Sequence, residues 1–218
     1  MDMEIHFDTV IPLLHKTPHG VLATHSTQLP GYPFASTLPF VLDERQRPVF
    51  LVSALAEHTK NLMTDHRASF IVTSPDGQNV LSGARLTLMG DVLRIDAPQE
   101  LVARYLRYQP DASQYLSLGD FAFFKLTPKR ARYVAGFGEM GWLETSDWDN
   151  GAVLPLADEA ELLIKLAAVL PEGMRLLGLD YYGADIERHG KRERLQFPNA
   201  PITTGNAGEL REQFLAAL

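Results

Sequence analysis

The chain contains no cysteine. Disulfides, thiolate nucleophiles and cysteine-ligated zinc are therefore excluded, and the composition suits a reducing compartment. Positive charge is also scarce. Twenty Lys and Arg against 27 Asp and Glu give a formal net charge of −7, so no overall field draws in nucleic acid or an anionic membrane. Any anionic ligand must be held by a local cluster. No apolar run approaches the length of a membrane span, and the opening Met1-Asp2-Met3-Glu4 is acidic where a signal peptide is basic. A cytoplasmic location, with neither membrane nor nucleic acid as partner, is the expectation. Several site patterns are missing as well: there is no HExxH, no glycine-rich P-loop and no serine-histidine-acid array.

What remains is an ordinary globular composition of 218 residues, 45% of them hydrophobic, long enough to bury a real core. A lead-in helix is expected from about Glu4 to Lys16, interrupted by Pro12. Strands follow at Gly20–His25, Ala35–Leu42, Val49–Ser53 and Arg67–Thr73, with a helix over Ala56–Asp65 and a turn at Ser74-Pro75-Asp76-Gly77. Ala84–Ile95 reads as a strand pair, Gly90-Asp91 marking either a bulge or a hairpin turn. Pro98 opens an amphipathic helix that ends near Pro110, and Phe121–Thr127 and Ala131–Phe137 read as two further strands. The sum is a six- or seven-stranded, mostly antiparallel barrel in residues 1–145. Thr145–Gly151 reads as a linker. Residues 151–218 follow as a small α-β-β-β-α unit, with a turn at His189-Gly190 and a last helix capped by Asn206 and Glu209.

Three groups of residues can carry chemistry. Ser53, His58, Thr59, Lys60 and Asn61 cluster where a strand meets a helix, and they offer hydroxyls, an amide and positive charge to a phosphate or carboxylate. The same residues also suit caps and solvated positions on a surface helix. Arg85, opening the strand Arg85-Leu86-Thr87-Leu88-Met89-Gly90, can aim its planar fork into a groove or simply meet solvent. Gly136-Phe137-Gly138 and Trp142 offer close backbone approach and flat surfaces, or else a tight bulge at a barrel rim.

Taken with Gly31-Tyr32-Pro33-Phe34-Ala35-Ser36-Thr37-Leu38-Pro39-Phe40, these motifs resemble the pyridoxamine 5'-phosphate oxidase-like FMN-binding split barrels, most closely their haem-utilisation branch. The resemblance implies a split β-barrel with a small α+β domain, mostly β with α, forming a homodimer around a small-molecule cofactor. It implies FMN as cofactor, with Ser36 and Thr37 beneath the flavin ring, and with Ser53, His58, Thr59, Lys60, Asn61, Arg85 and Trp142 around it. Two departures stand out. The Arg and Lys that pyridoxamine-phosphate oxidases carry on the strand corresponding to Ala35–Leu42 are absent, and the only histidine beyond the barrel is His189. The role the resemblance implies is that of an FMN-binding oxidoreductase; a haem-binding or haem-degrading protein, with haem as cofactor, is the alternative, and a non-catalytic regulatory binding module the second.

Overall fold

A computed structural model describes residues 3–75, 83–135, 139–198, 200–202 and 207–218. The chain runs α1 (Phe7–Lys16), β1 (His19–His25), β2 (Pro33–Pro39), β3 (Val41–Leu42), β4 (Pro48–Ser53), α2 (Glu57–Thr64), β5 (Arg67–Thr73), β6 (Arg85–Ile95), α3 (Gln99–Tyr108) and α4 (Ala112–Leu116). It continues through β7 (Phe121–Val134), β8 (Met140–Glu144), α5 (Thr145–Asp149), α6 (Leu156–Ala167), β9 (Met174–Asp180), β10 (Gly183–Arg188), β11 (Lys191–Gln196) and α7 (Ala207–Ala217). Eight strands form one curled antiparallel sheet, ordered β2-β1-β5-β6-β7-β4-β3 with β8 on the free half of β7. This is a split-barrel architecture, and a second sheet β11-β10-β9 stands beside it.

Alternation along each strand sends one set of side chains inward. Leu22, Phe70, Leu86, Leu88, Phe50 and Leu126 are fully enclosed, and Phe70 meets Phe40 and Phe50 edge to face at 5.0 and 5.1 Å. Burying side chains of this size stabilises the fold by about 1.5–3 kcal/mol each. Helix α1 continues through Pro12, because Val10, Ile11, Leu13 and Leu14 on its inner face are buried.

The long strands depart from the expected pairs. Ala84–Ile95 is one strand rather than two, and so is the segment from Phe121 onward. The reason is a bulge: Met89 faces Arg130 and Gly90 faces Pro128, which leaves Lys129 unopposed. A Cβ on Gly90 would lie 2.1 Å from the Thr127 carbonyl oxygen, so only glycine lets the two backbones cross there. Pro128, which read as a break, is accommodated at this irregularity. Met140–Glu144 adds a strand of its own, bringing the sheet to eight. The motif Gly136-Phe137-Gly138, the tail of the turn after Ser74-Pro75, and Asn206 all lie outside the described residues.

The expected linker is also structured. Thr145–Asp149 forms a helix through a capping box in which the Glu144 amide donates to Asp147 at 2.6 Å. Trp148 on that helix is buried and donates its indole N–H to the Gln46 carbonyl at 3.2 Å.

The C-terminal unit has a core of its own, including Leu166, Leu179, Ile186, Leu210 and Phe214. It is tied to the barrel by a buried polar network. His15 of α1 places Nδ1 2.6 Å from Asp185 and Nε2 2.7 Å from the Gln46 side-chain oxygen. Arg194 donates to Asp180 at 2.6 Å, and the Tyr108 hydroxyl donates to Asp185. A Cβ on Gly178 would collide with that hydroxyl, so glycine makes its path possible. Burial alone would raise both carboxyls, but the charges of Arg194 and His15 beside them hold Asp180 and Asp185 below their ordinary value.

Replacing Asp185 with Ala leaves Arg194 and the Tyr108 hydroxyl buried without it, and chemical denaturation is expected to show a loss of about 3–5 kcal/mol. The folded values of both carboxyls lie below the unfolded value of about 3.9. The pair therefore stabilises the protein above that pH, and the contribution disappears as pH falls through the folded values. Denaturation midpoints measured from pH 7 down to pH 3 are expected to stay level and then drop, with a weaker drop in the Asp185→Ala variant.

Candidate functional site

The residues expected around one cofactor fall in three places. Ser36 and Thr37 are neighbours on β2 and point to opposite faces of the sheet. Ser36 sits opposite Leu22 on the inner side and reaches His58 Nδ1 at 3.2 Å, so it seats α2 on the sheet. Thr37 sits opposite Val21 on the outer side.

At α2 most of the expected ligand-binding groups are engaged by the chain itself. Asn61 is fully buried. Its side-chain oxygen accepts from the Thr27 amide and hydroxyl, both at 2.9 Å, and its nitrogen donates to Thr24 at 3.0 Å. Ser53 donates to Asp120 at 2.7 Å and accepts from the Leu55 amide, which shapes the β4–α2 turn. His58 is half-buried, and burial pushes it down from its ordinary value toward the neutral ring, which supplies no positive charge to an anion. Thr59 and Lys60 alone line a cleft of about 460 Å³, with Arg94 across from them.

The outer face of the sheet gathers the rest. One lateral row of facing residues runs Thr37, Val21, Ile71, Thr87, Arg132 and Trp142 across six strands. The next runs Ala35, Ala23, Ser69, Met89, Arg130 and Glu144. At a strand spacing of about 4.8 Å, five gaps make this face about 24 Å wide. Apart from Met89 its floor is small or β-branched, and it stays open: Val21 is 37% exposed, and Ala35 and Thr37 are exposed. Helix α3 covers the outer side of the neighbouring strands instead, packing Leu101 and Tyr105 with Val49, Leu51 and Phe123.

Cations border the open face. The guanidinium carbons of Arg130 and Arg132 lie 4.2 and 5.0 Å from the centre of the Trp142 ring. Arg130 also pairs with Glu144 at 2.8 Å. Arg85 stands two residues along β6 from Thr87, between Thr73 and Val134. His19 and His25, in step with Val21 and Ala23, stand exposed at the two ends of the same face of β1. These two imidazoles were not singled out from the sequence, although the alternation in His19-Gly20-Val21-Leu22-Ala23-Thr24-His25 carries the signal. His189 lies in the exposed left-handed turn between β10 and β11.

Residues 11–150, well over half of the chain, match the family model described as CREG, beta-barrel. The chain belongs to the CREG β-barrel family. It is 32% identical over 149 residues to a protein of Arabidopsis thaliana named non-canonical heme oxygenase HOZ, chloroplastic, covering 65% of this chain and 45% of that one. The chain thus spans a little under half of that relative's length. Among solved structures, a heme binding protein from Mycobacterium smegmatis is 26% identical, with a TM-score of 0.62, over 100% of this chain and 97% of its own. A protein of unknown function from Agrobacterium tumefaciens is 24% identical with a TM-score of 0.76, over 96% and 93%, a likeness of fold. Among the described residues, no helix is long and apolar enough to cross a membrane.

Replacing Asn61 with Ala leaves the Thr27 amide without its acceptor, and an expected loss of about 1–3 kcal/mol in denaturant titration tests this structural role.

Proposed function

We propose that the protein binds haem on the outer face of the sheet, between two copies of the chain. The observation that carries this reading is the face itself: a floor that includes Val21, Ala23, Ile71, Ser69 and Thr87, bordered by Arg85 and Arg132, with His19 and His25 at its ends. A planar macrocycle with carboxylate arms needs these three provisions together. Guanidinium forks suit the carboxylates, and an imidazole suits the iron. The names of the Arabidopsis and Mycobacterium relatives support the same ligand.

Flavin, the first expectation from the resemblance, is less well served. Of the residues matched to its phosphate, Asn61 and Ser53 are engaged within the fold, and His58 is held toward neutrality. Bound haem would supply a redox-active iron. The chain's own residues would hold the carboxylates, keep the ring flat against the sheet and exclude water from one side of it. A second copy would exclude water from the other, and a face that leaves Val21 exposed beside Ala23 and Ile71 is one that a symmetric partner can cover.

Haemin titrated into the purified chain is expected to give a saturable Soret band. Combined Arg85→Ala and Arg132→Ala changes are expected to weaken it by about 1.5–3 kcal/mol per charged hydrogen bond lost. His19→Ala or His25→Ala is expected to shift the band, which identifies the iron ligand. Flavin absorbance without a Soret change would overturn the proposal. Light scattering is expected to show a dimer, its interface above the roughly 2,000 Å² of standard complexes.

A further inference from the structure

The cleft at α2 lies on the inner side of the sheet, away from the face assigned to haem. Val52 and Phe124 in its wall belong to the barrel core, and Arg94 stands opposite Phe124 on the same inner row. Its volume, about 460 Å³, lies within the range of small-molecule sites, roughly 300–1,000 Å³. The walls are apolar, formed by Val52, Met63, Phe121, Ala122 and Phe124.

Three charged side chains, Lys60, Arg94 and Asp120, line this apolar space. Thr59 also lines it, but its hydroxyl is sealed from solvent, with no hydrogen-bond partner among the described residues, and so belongs to the wall. Arg94 is exposed and forms no ion pair among the described residues. Lys60 has only a loose contact with Glu57, at 3.5 Å and half in solvent. Asp120 is the opposing charge, and its carboxylate accepts from Ser53 at 2.7 Å.

We infer that this cleft is a second ligand site, which takes a small anionic amphiphile with its acid head between Lys60 and Arg94 and its apolar body against Phe121 and Phe124. Leu55 and Leu118, chain neighbours of two lining residues, are exposed and extend the apolar surface at that end of the barrel. The acidic chain as a whole repels anions, so selectivity for one comes from these local cations.

Octanoate and octanol, titrated separately by calorimetry into the intact protein, test the head-group claim. Octanoate is expected to bind about tenfold more tightly or better, the equivalent of one charged hydrogen bond. Arg94→Ala and Lys60→Ala are each expected to lower octanoate affinity by about tenfold while leaving octanol unaffected. Equal affinity for octanoate and octanol, or octanoate binding unchanged in both cation variants, would overturn the inference. Haemin binding is expected to be unaltered in Arg94→Ala; its loss there would make the two places one site and overturn the inference too.

Discussion

The buried ion network around Asp185 is the constraint on which the arrangement of the two sheets depends. Asp185 receives His15 from the first helix, Tyr108 from α3 and Arg194 from the neighbouring strand, and Asp180 receives Arg194 again and the Tyr182 and Gly183 amides. Nearby, Glu159 of α6 holds Arg104 and Arg107 of α3. Charges so deeply enclosed are tolerated only when each is met by a partner in good geometry. The partners come from segments up to 170 residues apart. A shift of one unit against the other would strand several of them at once, so the network specifies a single docking where an apolar interface would admit sliding.

The sheet owes its two faces to a break in alternation. On β7 the inward residues are Phe124 and Leu126 before the bulge, and Ala131 and Tyr133 after it. The extra residue, Lys129, changes the parity. Arg130 and Arg132 would otherwise point into the core, where guanidinium groups could not stay unless paired. Gly90, by having no side chain where β7 crosses, thus decides that a cationic border lies on the outside of the barrel beside Trp142.

Helix α2 serves two neighbours at once. His58 and Asn61 look toward β1 and β2 and fix the helix to the sheet. Thr59, Lys60 and Met63 look toward β4 and β7 and line the cleft. Helical geometry enforces this split, since adjacent residues are about 100° apart around the axis. A motif contiguous in sequence is therefore shared between structural and ligand-facing roles.

The strands β1 and β5, the helices α2 and α3 and the three-stranded C-terminal sheet were legible from periodicity and turn residues, because burial on one face imprints a period on the chain. The split-barrel fold and its haem-utilisation relatives were legible from motifs. Continuity of β6 and β7 was not, since Gly90 and Pro128 read as breaks until the opposing strand shows that they meet at one bulge. Nor was the helix at Thr145–Asp149, whose Trp148 is buried by a loop some hundred residues earlier. The expected site failed as a unit for the same reason. Residue types told which side chains could meet an anion, and only the tertiary structure decided that Thr37, Arg132 and Trp142 share a row, that Asn61 is enclosed, and that Arg94 joins Lys60. Facing and burial depend on strand register and packing between distant segments, which no local pattern encodes.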